Sequence, residues 1–192
     1  MPPKAKFSRE EIITAAIDLV KKEGAEKLTA RSLAQKLGSS PRPIFTVFKS
    51  MDEVFAEVEL SARKLYESYE DEGMSGDNAF KGSGLGYVRF AANEPKLFQM
   101  LFMTEQNNVP NINNVLGQID GYSEKILKSV EQEYGFVRET AEEIYLHLWI
   151  YTHGIAVLLA TNVCKFTEQE ISQMLNEVGS SIIKKFKQEG RK

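Results

Sequence analysis

The chain has 192 residues, 24 Lys and Arg against 27 Asp and Glu, and a formal net charge of -3. With 42% hydrophobic and 27% charged residues, its composition is that of an ordinary soluble globular protein and argues against disorder. No window reaches the roughly 18–20 apolar residues of a membrane span, no apolar run follows the first residues as a secretory signal would require, and the single cysteine, Cys164, excludes an intrachain disulfide framework. A cytoplasmic protein is therefore expected, with Cys164 acting as a small buried hydrophobe.

In chain order, nearly every segment reads as helix. Ser8 has the spacing of an N-cap with Glu11 three residues on. Ile12, Ala16, Leu19 and Val20 repeat at helical intervals, and Gly24 is a natural stop. Thr29 caps a second helix with Leu33, Ala34 and Leu37 on one face, ended by Gly38. Ser40 caps a third segment, in which Pro41 and Pro43 fall within the first helical turn and Ile44 and Phe48 face inward. A longer helix from about Asp52 carries Val54, Val58, Ser61 or Ala62, Leu65 and Tyr69, and ends at Glu70 to Gly73.

A helix from Ala79 to Asn93 follows, then one from Pro95 through Met103, a loop from Thr104 to Asn114, and a helix from Ile112 to Tyr134 stopped by Gly135. The last two helices are the most periodic: Ile144, Leu148, Tyr151, Ile155 and Leu158 in one, Ile171, Leu175, Val178, Ile182 and Phe186 in the other. Strand-like alternation is absent. The expected fold class is all-α, from about nine helices.

Charge is divided unevenly. Residues 1–50 hold ten basic and five acidic residues, a surplus of +5, while residues 51–192 carry -8. This suggests a polyanion-binding module on an acidic body, or a chance fluctuation on a solvated face. The stretch Leu28 to Phe48 decides for the module. Two short helices joined by a Gly-containing turn form a helix-turn-helix, whose second element is slim and polar enough at its start for the major groove.

Here the sequence resembles the TetR family of bacterial transcription regulators. The resemblance rests on Leu28-Thr29, Arg31, Leu33-Ala34, Leu37-Gly38-Ser39, Ser40, Ile44-Phe45 and Phe48. It implies phosphate contacts from Thr29 and Arg31, and a recognition surface at Ser39, Ser40, Pro41, Arg42, Pro43, Phe45, Thr46 and Val47. It also implies a backbone clamp at Lys49 and an arm of Lys4, Lys6 and Arg9 on adjacent phosphates. Two positions depart from the family pattern. Phe45 replaces the usual Tyr and so offers no hydroxyl to a phosphate, and Met51 stands where a Lys often opens the fourth helix.

The remainder is similar to the branch of that family with a Trp and a His-Gly pair in its C-terminal domain, through Tyr87, Phe90-Ala91, Asn93-Glu94-Pro95, Leu97-Phe98, Met100 to Met103, Trp149 and His153-Gly154. That likeness implies a helical dimer with an internal effector pocket. Candidate pocket residues are Tyr87, Phe90, Phe98, Phe102, Met103, Tyr122, Tyr145, Trp149 and His153, each with an ordinary core role as its alternative. His153 bonds either a ligand or a buried backbone carbonyl, and the second is favoured because Gly154 suggests close helix packing. The apolar stripes of the last two helices predict a four-helix dimer bundle through Tyr151, Ile155, Leu158, Leu175, Val178, Ile182 and Phe186.

The expected organisation is a DNA-binding domain over residues 1–50 and an effector-binding and dimerisation domain over residues 51–192. The expected function is a ligand-responsive repressor, a homodimer on a palindromic double-stranded DNA operator with a small-molecule effector and no membrane partner. The alternative is a dimeric small-molecule-binding or interaction protein with weakened DNA binding. No enzyme, metal or cofactor is expected. Gly82-Ser83-Gly84-Leu85-Gly86 lacks the dinucleotide and P-loop signatures and reads as a close helix crossing, and His147 and His153, six apart, do not share a helix face.

Overall fold

The computed structural model describes residues 6–105 and 123–191, and among these it forms eight α-helices, two 3-10 turns and no strand. Helix α1 (Arg9–Glu23) opens on a complete capping box. Ser8 Oγ accepts the Glu11 N–H at 3.1 Å, and the Glu11 carboxylate accepts the Ser8 N–H at 2.7 Å. It ends at Gly24, whose φ of +98° suits a residue without Cβ. Helix α2 (Ala30–Lys36) is capped by Thr29, and α3 runs from Met51 to Met74 as one unbroken helix. Then come α4 (Ala79–Asn93) and α5 (Pro95–Phe102), the latter with proline in its first turn. After the undescribed stretch come α6 (Ser123–Tyr134), α7 (Arg138–Ala160) and α8 (Glu168–Gln188). Most of the expected loop at Thr104 to Asn114, and the start of the helix expected from Ile112, lie outside the described residues.

The described residues divide into two compact units, one drawn from Met1–Leu65 and Glu94–Thr104, the other from Tyr66–Asn93 and Glu105–Lys192. Helix α3 gives residues 51–65 to the first and 66–74 to the second. In the first unit α1 packs against α2 and α5, burying Ile12, Ala16, Val20, Leu33, Leu97 and Phe98. In the second, α7 packs against α4, α6 and α8. One apolar cluster joins Phe80, Ile126, Val130, Phe136, Ile144 and Phe186, and a smaller one joins Val88, Ile155 and Ile171.

Two findings differ from the sequence reading. The buried row of α3 runs Val54, Val58, Ala62, Tyr66, Glu70 in unbroken steps of four, so Leu65 and Tyr69 are only half-buried and Glu70 is fully buried. Helix α7 is, by length and composition, apolar enough to cross a membrane, contrary to the expectation that no window would be. Packing accounts for part of the apolarity, since α4, α6 and α8 all pack against it, while Ile150 and Leu158 on it are exposed.

The Gly-rich stretch of α4 forms the close crossing that the sequence suggests. A methyl group on Gly82 would run into the Gly73 carbonyl of α3, and one on Gly86 would run into the Tyr69 carbonyl. Backbone-to-backbone approach of this kind brings the side chains beside the glycines into contact across the pair.

Candidate functional site

The basic N-terminal region builds a rigid exposed turn. Helix α2 closes in a full Schellman motif, with the Ser39 N–H on the Ala34 carbonyl at 2.9 Å and the Gly38 N–H on the Gln35 carbonyl at 3.1 Å, and with Gly38 at φ +61°. The chain then turns through Pro41, Arg42 and Pro43 into a 3-10 turn at Ile44–Thr46. An α-helix expected here is not formed. Pro43 lacks an N–H and its ring disfavours the α conformation of Arg42, so the bonds are short-range: the Ile44 N–H on the Pro41 carbonyl at 3.0 Å and the Val47 N–H on the Ile44 carbonyl at 3.0 Å. Thr46 Oγ1 donates to the Pro43 carbonyl at 2.6 Å and locks the turn from the side.

Ile44 and Phe48 anchor this turn inward, while Ser40, Pro41, Arg42, Phe45, Thr46 and Lys49 are exposed and Ser39, Pro43 and Val47 half-buried. Thr29 and Arg31 are exposed at the start of α2. Lys6 Nζ donates to Ser39 Oγ at 3.1 Å, which holds the incoming chain over the turn. Lys4 lies outside the described residues. Arg31 and Arg42 form no ion pair among the described residues.

Arg9 is placed differently from the other candidate cations. Its guanidinium lies 4.3 Å from the centre of the Phe48 ring and donates to Glu53 at 3.0 Å and Glu57 at 2.6 Å. Its charge is therefore committed to joining the start of α1 to the start of α3. The Glu53 carboxyl is held below the ordinary carboxylate range, first by the Lys49 N–H and then by Arg9. That Lys49 bond, at 2.7 Å, fixes the backbone two residues before α3 and leaves the Lys49 side chain exposed.

The second unit holds a partly open cavity of about 610 Å³, within the range of small-molecule sites. Three helices supply its aromatic wall at helical spacing: Tyr66 and Glu70 from α3, Ser83 and Tyr87 from α4, and Tyr145, Trp149 and Thr152 from α7. Ser83 Oγ donates to Glu70 Oε2 at 2.6 Å. The rings of Tyr66 and Tyr87 meet edge-on at 5.9 Å. Residues of α8, among them Leu175, Gly179, Ile183 and Lys184, complete the lining.

Of the expected pocket residues, Tyr87, Tyr145 and Trp149 line the cavity. Phe90 does not: it is fully buried against Tyr66 and Tyr69. Phe98, Phe102 and Met103 belong to the other unit, and Tyr122 lies outside the described residues. His153 stands behind the wall, stacked on Trp149 with its Nδ1 2.9 Å from the Tyr87 hydroxyl. Gly154 has nothing of its own chain within 4 Å of an added Cβ, and the Tyr87 hydroxyl is one hydrogen-bond partner of His153. Sequence reading missed Tyr66, Glu70, Ser83 and Thr152. Glu70 was findable, because it falls on the four-residue row from Val54.

Burial lowers the His153 pKa from its ordinary value near 6.5. The unfolded chain therefore protonates first, and the stability this residue supports is complete above about pH 6.5 and lost as pH falls toward its folded pKa. In an NMR titration the imidazole resonances of His153 should show a midpoint below 6.5. A midpoint at or above 6.5 in an NMR titration would contradict the burial seen here.

The residues expected at a dimer interface divide. Ile155 and Phe186 are buried in their own chain's core, which leaves them little apolar area for a partner. Tyr151, Leu175, Val178 and Ile182 are half-buried. Leu158 is exposed, and Ile150 on the same face of α7 is exposed as well.

Residues 12–58 match the family model of bacterial regulatory proteins, tetR family. The match spans α1, α2, the Gly38 turn, the proline-flanked turn and the opening of α3. No curated protein matches the chain by sequence. The chain carries the N-terminal domain of the TetR family and is a DNA-binding transcription regulator.

Proposed function

We propose that the protein is a ligand-responsive repressor that holds a palindromic operator as a homodimer and releases it when its cavity fills. Residues 1–50 are the reader and residues 51–192 the sensor and dimerisation body. One observation carries the reading: α3, the helix whose Glu53 and Glu57 tie down the reader, also supplies Tyr66 and Glu70 to the cavity wall. A ligand that prefers one placement of those residues biases the whole helix, and with it the spacing of two reading turns in a dimer. Such a repressor must lose affinity for its operator in proportion to the ligand's preference for the released state.

The test is fluorescence anisotropy on the DNA upstream of the protein's own gene, across a salt series. Operator binding should fall steeply with salt as counterions are released. Flat salt dependence would favour the second reading, a small-molecule-binding protein with a weakened reader, to which the exposed Phe45 ring, lacking a phosphate-bonding hydroxyl, gives some support.

The dimer has its own test. Gly154 has nothing of its own chain near its Cα and lies between exposed Ile150 and Leu158 on α7. Gly154→Arg should fold but sediment as a monomer, and its operator affinity should drop by about 10²–10⁴, the advantage of two linked heads. A dimer that survives this change would place the interface elsewhere.

A further inference from the structure

Among the described residues of the matched segment 12–58, Phe45 is the only large hydrophobic side chain left exposed, at 46%. Ile44 and Phe48 are buried and anchor the turn without it. The turn is held by bonds between residues three apart: the Ile44 N–H on the Pro41 carbonyl, the Thr46 N–H on the Pro43 carbonyl and the Val47 N–H on the Ile44 carbonyl. Side chains three apart in such a turn stand on one face, so Phe45 rises beside exposed Arg42, and the exposed ring of Pro41 adds further apolar surface. Thr46 is exposed too, but its hydroxyl proton is committed to the Pro43 carbonyl at 2.6 Å and is not offered to a base. The result is a forked cation set among apolar groups, with the exposed cations Arg31 and Lys49 in the same unit.

A phenyl ring has no hydrogen bond to give or take. Against a phosphate or a polar base edge it would strip water and return nothing. The base edges of the major groove carry one apolar group, the C5 methyl of thymine, which stands at the side of the groove nearest its own strand's backbone. The basic neighbours bring DNA to the turn, and the ring selects within it. We infer that Phe45 is a specificity-determining residue that packs on the C5 methyl of a thymine, beside the base that Arg42 reads. The inference rests on the reader role of residues 1–50 and names a feature that the reader requires of its operator. Three residues of a 3-10 turn rise about 6 Å and stacked bases are roughly 3.4 Å apart, so the thymine lies within about two base pairs of the Arg42 position. The base 5-methylcytosine carries the same methyl in the same place, so cytosine methylation at that position strengthens binding.

The full chain is first offered a pool of random duplex DNA, and the enriched sequence serves as the operator. Each thymine is then replaced in turn by deoxyuridine, which removes the C5 methyl and keeps every hydrogen-bonding group. By fluorescence anisotropy at fixed salt, one thymine should prove sensitive, with affinity falling about fourfold per methyl removed. It should lie within about two base pairs of the position that Arg42→Ala no longer distinguishes. With cytosine placed there, methylation at C5 should tighten binding by a similar factor. Phe45→Ala should bind the thymine and uracil forms about equally, and the two cytosine forms likewise; Phe45→Gln repeats the comparison if the alanine variant does not fold. Indifference to uracil at every position would overturn the inference. So would a thymine preference that survives Phe45→Ala, or one that is abolished by Thr46→Ser instead. A sensitive thymine in a remote part of the operator would overturn it as well. Each of these outcomes leaves the reader standing, whereas a pool from which no sequence is enriched would sink both.

Discussion

Replacing Arg42 with alanine is expected to weaken binding to the cognate operator about tenfold to a hundredfold, roughly 1–3 kcal/mol, and to erase the preference at the base pair it reads. Arg42 is exposed, forms no ion pair among the described residues, and sits between two prolines whose rings fix the backbone on either side. A guanidinium held on so stiff a turn loses little freedom on docking, and its fork matches the O6 and N7 acceptors of guanine in the major groove. The measurement is a binding series over operators with each base pair substituted in turn. The wild type should discriminate at one position per half-site that Arg42→Ala no longer distinguishes. An unchanged profile would mean that the bases are read by other residues of the turn. Thermal stability should not move, because the side chain touches nothing that folding requires.

Lys49→Ala separates position from recognition. Its side chain stands exposed at the start of α3 while Glu53 pins its backbone. A contact of that kind meets phosphate, so its loss should weaken all sequences alike and lower the salt slope by about one per contact. Arg9 belongs to neither class. Its charge is held by Glu53 and Glu57 over the Phe48 ring. Substituting it should act on the joint between α1 and α3, and on DNA only through that joint.

The parts of this protein that were legible in its sequence are those set by neighbours a few residues apart. Ser8 with Glu11, Gly24, Thr29, Gly38 and Pro95 mark helix ends because capping is chemistry within one turn of chain. The element from Pro41 to Val47 shows where that logic stops. Each proline is acceptable in a first helical turn, but the second also disfavours the α conformation at Arg42, and a 3-10 turn forms there instead. Glu70 shows a different limit. Its neighbours Asp71 and Glu72 make it look like part of a solvated acidic end, and only the register inherited from Val54 places it inside. The cavity was hardest, since a ring that lines a space and a ring that fills one have the same signature: Tyr87 and Phe90 are three apart on α4, and one is wall while the other is core. Charge division and the Gly-rich stretch carried further, because both concern how much of a surface is basic or how near two backbones can come, which composition does specify.

Gly82→Ala is the substitution expected to damage the sensor unit most for its size. Its new methyl would collide with the Gly73 carbonyl, a backbone atom with no rotamer by which to yield, so α3 and α4 must move apart. The movement would strain the Ser83–Glu70 bond at 2.6 Å and the edge-on contact of Tyr66 with Tyr87. A loss of roughly 2–4 kcal/mol is expected, at or beyond the upper part of the range for overpacking because backbone rather than side chain must shift. Gly84→Ala, two residues along the same helix, supplies the control. A methyl there meets Leu175 at 3.7 Å and Thr152 at 3.9 Å, ordinary contacts, and alanine restores helix propensity worth up to about 1 kcal/mol. Urea unfolding followed by Trp149 emission should therefore shift to lower denaturant for Gly82→Ala and stay level or rise for Gly84→Ala. Matching midpoints would show that the crossing tolerates a side chain and that something other than backbone contact holds Glu70 against Ser83. A split in the expected direction would tie the stability of this unit to the absence of a methyl group at Gly82.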